Sequence, residues 1–178
     1  TFLDLTNVRS DGHFHPVFYL LNLLVQKIHD SYQFFHLVIF LFHVGTSFIV
    51  VKIVYETHGS YKIGVLAAVL FSINYGLSLK GLTWNVFHSH VTNTFTGSIW
   101  ILSSILYLRS RSPWHLVLGG LFGILTVLNA ESGFLFPVAV VVFVVHSWFK
   151  HDITWKRVAV ILIVTMIPFS IYGVVNLF

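Results

Sequence analysis

The chain has 178 residues, of which 56% are hydrophobic and only 9% are charged, and its mean hydropathy is +0.85. Soluble domains carry about 25% charged residues, so this composition predicts an integral membrane protein, and the absence of cysteine excludes disulfides and thiol chemistry. The net charge of +4 does not indicate nucleic-acid binding, because the Lys and Arg residues lie at the ends of apolar runs rather than in one patch.

The chain begins with a polar segment that is followed by a short helix. Residues 1–15 are rich in charged and imidazole groups, which predicts a loop outside the membrane. Pro16 is a common first residue of a helix, and apolar residues recur at helical spacing over residues 17–28. A helix of about 13 residues is too short to cross a bilayer, so we predict an interfacial amphipathic helix. We therefore expect residues 1–30 to form an extracytoplasmic unit of a fragment whose topology is set by an upstream span.

Six longer apolar runs follow, and they predict an all-α, polytopic membrane helix bundle of about six spans. The runs cover residues 34–55, 63–79, 93–108, 114–128, 134–149 and 158–178. For the run at 93–108, an earlier start of the span near Trp84 is an alternative. Pro168 is expected to kink the last of them. No stretch is long and polar enough for a soluble domain, so we expect one transmembrane domain over residues 1–178, with its bundle at 34–178.

The distribution of charge along the chain predicts its orientation. If the N-terminal loop is extracytoplasmic, alternation of the spans places seven of the ten Lys and Arg residues on the cytoplasmic side, as the positive-inside rule requires. Those seven are Lys52, Lys62, Arg109, Arg111, Lys150, Lys156 and Arg157. The extracytoplasmic or lumenal side then holds four of the six acids and six of the eleven histidines. They are Asp4, Asp11, Asp30, Glu131, His13, His15, His29, His36, His88 and His90.

Glu131 lies in a short polar break, NAESG (129–133), between two of the apolar runs. An ionisable side chain at such a position is costly unless it is solvated or paired, so Glu131 is a candidate catalytic or binding carboxylate. The alternative is an ordinary hydrated turn between two spans. Asp11 and Asp4 in the first loop are further candidates for a general base, and Asp11 also for a metal ligand. That loop, too, has the alternative of being simply hydrated.

Two more polar clusters are candidates for a site on the same face. His36 and His43 are two helical turns apart, about 10 Å, which is too far for one metal ion. They are expected either to line a groove together or to contact neighbouring helices separately. Residues 80–93 form a predicted outer loop with many donors for phosphate or sugar hydroxyls, and Trp84 offers a stacking face or an interface anchor. The alternative is an aromatic-belt loop with incidental polar groups. The candidate substrate-binding residues are Lys80, Trp84, Asn85, His88, His90 and His36.

The order of these motifs resembles that of the multi-pass GT-C glycosyltransferases, in particular the protein O-mannosyltransferase-like branch. The four matching segments are FHPV (14–17), HLVIFLFH (36–43), AAVLFSINY with LTW (67–84), and LNAE with Pro137 (128–137). They resemble the start of that family's amphipathic helix, its histidine-flanked span and two later motifs. The resemblance covers about residues 14–145 and rests on four motifs that stand in the family's order.

The resemblance implies transfer of a sugar from a polyprenyl-phosphate-linked donor to an acceptor protein or glycan, with inversion, on the extracytoplasmic face. It further implies an acidic base in the first outer loop, here Asp11 or Asp4, sometimes with a divalent metal ion, so the need for a cofactor stays open. Glu131 is then a site carboxylate, and Lys80 with His88 contacts the phosphate. The implied partners are the bilayer, the lipid-linked sugar and the acceptor, and no nucleic acid.

The chain also departs from the family's pattern. Ala130 stands where the family has a lysine before the glutamate, and His88 and His90 stand where it has arginine and aspartate. These departures leave a catalytically inactive relative as one alternative. A non-enzymatic multi-pass transporter or membrane assembly subunit is another, because short interrupted spans also build transporter sites. An internal repeat, which a transporter would show, is not evident between residues 34–108 and 114–178.

Overall fold

The computed structural model describes residues 16–77, 85–129, 133, 135–150 and 153–177. Within these ranges the chain is all-helical, with seven α-helices and no β-strand, which confirms the predicted all-α class. The helices are α1 (Pro16–Ile28), α2 (Tyr32–His58), α3 (Tyr61–Leu77), α4 (Asn85–Ser110), α5 (Pro113–Asn129), α6 (Leu135–Lys150) and α7 (Trp155–Leu177).

Two of the described helices are long and apolar enough to cross a membrane. They are α2 and the Trp155–Val174 part of α7, whose most apolar windows have mean hydropathies of 2.3 and 2.0. Only 11% and 22% of the residues in those windows are buried inside the bundle, so both helices present apolar side chains to their surroundings. By contrast, α3, α5 and α6 have 16 or 17 residues, fewer than the roughly 20 that a spanning helix needs.

Helices α2 and α3 form an antiparallel pair joined by a tight turn. The hydroxyl of Ser31 accepts a hydrogen bond from the Phe34 N–H at 3.2 Å and caps the start of α2. Gly59 ends α2 in the left-handed conformation, with φ of 74°. Gly64 brings α3 close to α2, because a Cβ there would lie 2.8 Å from the Val51 carbonyl oxygen. The two helices therefore touch through backbone as well as side chains.

The helices that pack around α4 alternate in direction and give the bundle two distinct ends. Helix α2 runs parallel to α4, since Phe42 stacks on Phe95 at 4.8 Å and Glu56 contacts Arg109 further along. Helix α5 runs antiparallel to α4, since its last residue, Asn129, bonds to the beginning of α4. We call the end near Asn129 the polar end, and the end near Arg109 the basic end.

The main core lies between α4, α5, α6 and α7. Trp100 of α4 is at its centre, with 1% of its surface exposed, and the α6 residues Val140 and Val144 are fully buried beside it. Gly123 of α5 allows the closest approach, because a Cβ there would lie 3.0 Å from both the Trp100 ring and Pro168 of α7. Pro168, predicted as a kink, lies inside the helix α7 and packs on α5.

Helix α4 begins at Asn85, which agrees with the alternative start near Trp84 rather than with the apolar run at 93–108, and residues 85–93 are helical rather than part of an outer loop. The physical reason is that polar side chains of this stretch face the interior of the bundle. Ser89, Thr92 and Asn93 are each at most 3% exposed and form part of the contact with α5. A polar stretch predicts a loop only if its side chains are assumed to be exposed to water.

Candidate functional site at the polar end

Some of the predicted site residues lie within the described part of the chain, and others lie outside it. Five of them lie outside the described residues: Asp4, Asp11, Lys80, Trp84 and Glu131. Asn85 and His88 belong by their backbone to the first turns of α4, and His90 and His36 are half-buried residues of α4 and α2. On a helix, residues two apart point about 200° from each other, so the helical backbone does not put positions 88 and 90 on one face.

A polar seam joins α4 to α5 near the polar end. We define it as Ser89, Thr92, Asn93 and Thr96 of α4 with Thr126 and Asn129 of α5, all of which are buried. The four α4 residues are spaced i, i+3, i+4 and i+7, so they share one face of the helix. The Asn129 side-chain amide donates to the Ser89 carbonyl oxygen at 2.7 Å, and the Thr126 and Thr96 hydroxyls are 2.9 Å apart. The seam therefore holds the two helices together through hydrogen bonds in the interior.

The seam leads directly into the stretch that contains Glu131. Asn129 is fully buried and is the last residue of α5, and Gly133 is buried as well. A Cβ on Gly133 would lie 2.5 Å from the Thr126 carbonyl oxygen, so the chain at Gly133 lies against the last turn of α5. The position of Glu131 in the sequence is thus bracketed by two residues that are buried at the polar end.

A cleft between α1 and α2 lies at the same end. Its volume is about 410 Å³, and its floor contains the edge-to-face pair Phe18 and Phe35, with ring centroids 6.0 Å apart. Both rings belong to a buried cluster with Val91 of α4, two residues from Ser89, so the cleft and the seam adjoin the same part of α4. The polar and aromatic residues that line the cleft are Tyr19, Asn22, Gln26, His29, Asp30 and Tyr32.

Sequence reasoning placed His29 and Asp30 on this face but missed the rest of the cleft. The available signal was the polar side of α1, where Asn22 and Gln26 interrupt an otherwise apolar helix. Because these two positions are four residues apart, they lie on one helix face. Tyr19, three residues before Asn22, belongs to the same face. That face of α1 marks the cleft.

His36 and His43, two of the three histidines of α2, contact different partners. The His36 ring meets Tyr32 of the same helix edge-on, with centroids 4.0 Å apart, whereas the His43 ring stacks on Phe71 of α3 at 5.2 Å. His43 lines an apolar cleft of about 590 Å³ between α2 and α3, and His36 does not. Of the two predicted alternatives, these positions agree with separate contacts rather than a shared groove. Among the described residues, no group of three His, Asp or Glu could hold a metal ion.

The described residues thus define an all-helical protein with two membrane-length helices and a buried polar seam that ends beside a cleft. Comparison of the chain with protein-family models, with characterised proteins and with solved structures found no match.

Two threonines of similar burial provide a direct test of the seam. The Thr126 hydroxyl lies 2.6 Å from the Phe122 carbonyl oxygen and 2.9 Å from the Thr96 hydroxyl, whereas the buried Thr165 hydroxyl in α7 has no hydrogen-bond partner among the described residues. Thr126→Val is expected to lower the free energy of unfolding by about 1 kcal/mol, because it removes a satisfied buried group. The matched variant Thr165→Val is expected to be neutral or stabilising. Thermal unfolding in detergent measures both, and equal losses would show that the Thr126 hydroxyl contributes no more than Thr165.

Proposed function

We propose that the chain is a multi-pass integral membrane protein with about six spans and with its polar end on the extracytoplasmic or lumenal side. The two membrane-length helices support membrane insertion, and the shorter apolar helices pack beside them in alternating directions. Side chains as large as Phe48 and Phe149 are more than 70% exposed on the bundle, which suits a lipid environment better than water. The concentration of Lys and Arg at the basic end supports a cytoplasmic location for that end.

Within that frame, we propose a GT-C-like glycosyltransferase that transfers a sugar from a polyprenyl-phosphate-linked donor to an acceptor protein or glycan. The observation that carries this proposal is the arrangement of the polar end. The cleft of α1, the polar face of α4 and the last residue of α5, next in sequence to the Glu131 stretch, all adjoin one another there. A lipid-linked donor has to be met at a membrane surface, and one of the motifs that resemble the family, LNAE (128–131), begins in the last turn of α5 at this end.

The proposed chemistry assigns a role to each kind of residue. An acid, Asp11 or Asp4, removes the proton of the acceptor hydroxyl, and a positioned base of this kind accelerates a reaction by about 10² to 10⁴. Lys80 and His88 donate to the phosphate leaving group and stabilise the charge that develops on it. Glu131, which lacks the family's lysine neighbour, orients a substrate hydroxyl or binds it. A divalent metal ion remains an option for the first loop.

The α1–α2 cleft supports a hydroxyl-rich ligand at this end. Its two tyrosines supply aromatic faces with polar tips, its two amides supply both donors and acceptors, and Asp30 accepts hydrogen bonds. Sites for small ligands combine such an apolar floor with a few directed polar groups. We propose that this cleft holds a sugar ring of the donor or the acceptor.

The experiment is a transfer assay with a labelled polyprenyl-phosphate sugar and the protein in detergent or vesicles. Glu131→Gln and Asp11→Asn are each expected to lower the transfer rate, the second by about hundredfold or more if Asp11 is the base. Asp152→Asn is the matched control, because its acid belongs to the predicted cytoplasmic side, and it should retain the wild-type rate. Unchanged transfer in both test variants at normal expression would remove these residues from the site. A folded wild type without any transfer would instead favour the inactive relative or the transporter.

A further inference from the structure

A third cleft lies at the basic end, and its described lining contains none of the predicted site residues. It has a volume of about 320 Å³ and is formed where α2, α4 and α6 end, together with the residue Ile153. Four of its lining residues are apolar: Ile105, Leu108, Phe143 and Ile153. The others carry charged and polar groups: Glu56, Thr57, His58, Arg109, His146 and Ser147. The cleft therefore offers both kinds of contact that an amphiphile requires.

A cluster of three charged groups borders this cleft. Lys52 Nζ lies 2.6 Å from one carboxylate oxygen of Glu56, and Arg109 Nη1 lies 2.8 Å from the other. Arg109 Nη2 also donates to the Glu56 backbone carbonyl oxygen. Both carboxylate oxygens are thus engaged by cations, and the three groups together carry a net charge of +1. Arg109 and Glu56 line the cleft, and Glu56 is the only carboxylate among the described residues that do so.

Further hydrogen-bonding side chains line the same cleft. Ser147 of α6 is 5% exposed and lines the cleft next to His146, while the exposed His58 lines it from the end of α2. The Arg109 side chain is half exposed, so its guanidinium can be reached from outside the Glu56 contact. Hydroxyl, imidazole and guanidinium N–H groups are the donors that bind phosphate oxygens.

We propose that this cleft binds the phosphate group of an anionic phospholipid, whose acyl chains pack against the apolar lining residues. Basic pockets between membrane helices are a recurrent way of binding acidic headgroups. A free phosphate offers the same polar chemistry, but it has no apolar part to contact Ile105, Leu108 and Phe143. The inference requires only that the protein sits in a membrane, so it stands apart from the proposed sugar transfer at the polar end.

The test compares lipids and variants on the purified full chain. Thermal unfolding is measured in neutral detergent with added phosphatidylcholine, with added phosphatidylglycerol, or with inorganic phosphate. Phosphatidylglycerol is expected to raise the melting temperature above the value with phosphatidylcholine, and inorganic phosphate at equal concentration is expected to have little effect. Equal shifts with the two lipids would overturn the proposal, and a full shift with inorganic phosphate would overturn the lipid part of it.

Variants of His146, Ser147 and His58 test whether the lipid binds in this cleft, and they leave the Glu56 contacts intact. The double variant His146→Leu with Ser147→Ala is expected to bind phosphatidylglycerol roughly tenfold more weakly, because it loses hydrogen bonds to a charged group. His58→Leu changes an exposed residue, so it serves as a second test variant if the double variant fails to fold. It is expected to weaken phosphatidylglycerol binding by less than tenfold. His115→Leu is the control, since His115 lies near the same end and bonds to Ser110 at 2.9 Å rather than lining the cleft. Wild-type affinity in both cleft variants would overturn the assignment.

Discussion

Gly97→Ala is expected to lower the free energy of unfolding by about 1–3 kcal/mol, the range typical of overpacking a core. Gly97 of α4 faces α6, and an added Cβ would overlap the ring of Phe136. The overlap includes Cγ, the ring atom nearest the backbone, and the ring packs against the core cluster that contains Val140 and Val144, so the whole side chain has to shift within packed surroundings. The loss is expected even though alanine is favoured over glycine in a helix by about 1 kcal/mol.

The same chain offers a matched control for this substitution. Gly173 lies in α7, and an added Cβ there would have nothing within 4 Å. Gly173→Ala is therefore expected to be neutral or to stabilise by up to about 1 kcal/mol. Thermal unfolding of the two variants in detergent, followed by circular dichroism, separates the packing effect from helix propensity. Equal melting temperatures for the two variants would show that α4 and α6 do not approach closely at Gly97.

A second control tests whether the Phe136 ring is the group that the methyl meets. Phe136→Ala alone is expected to be destabilising, because it leaves a space beside Gly97. In the double variant, the new methyl of Gly97→Ala enters that space. The double variant should therefore lose less stability than the sum of the losses of the two single variants. Additive losses would place the clash elsewhere.

The helices of this protein could be predicted from the sequence because long apolar runs leave few alternatives. The runs at 34–55 and 158–178 correspond to α2 and α7, and Pro16 begins α1 as its ring geometry suggests. The run at 93–108 alone does not give the start of α4, although the alternative start near Trp84 is next to the observed Asn85. Polarity alone does not reveal that Ser89 and Asn93 are buried, since the contact at Ser89 depends on Asn129, which is 40 residues away along the chain.

The candidate sites show the same limit. Lys52 and Glu56 are four residues apart, so their ion pair is readable from the spacing. Arg109 is 53 residues further on, and only the parallel packing of α2 and α4 brings it to the same carboxylate. The distribution of charge in the sequence grouped Lys52 with Arg109, and in the structure both contact the carboxylate of Glu56. It gave no reason to regard Glu56 as their shared partner.

Removing both cations from Glu56 is expected to destabilise the protein more than removing Glu56 itself. The Glu56 side chain is 9% exposed, while the side chains of Lys52 and Arg109 are 44% and 55% exposed. Lys52→Met with Arg109→Met leaves a lone carboxylate in the interior, which is expected to cost about 3–5 kcal/mol. Glu56→Gln leaves two cations that can turn to solvent, so its cost is expected to be about 1–2 kcal/mol.

Adding Glu56→Met to the double variant is the decisive step. If the uncompensated charge causes the loss, the triple variant should recover most of the stability, because apolar replacement of a complete ion pair is often nearly neutral. All three proteins are compared by thermal unfolding in the same neutral detergent, so that no anionic lipid in the neighbouring cleft contributes. A triple variant as unstable as the double would mean that Lys52 and Arg109 stabilise the basic end through packing of their long side chains. Recovery would instead show that Glu56 is tolerated at the junction of α2 and α4 because two cations hold it there.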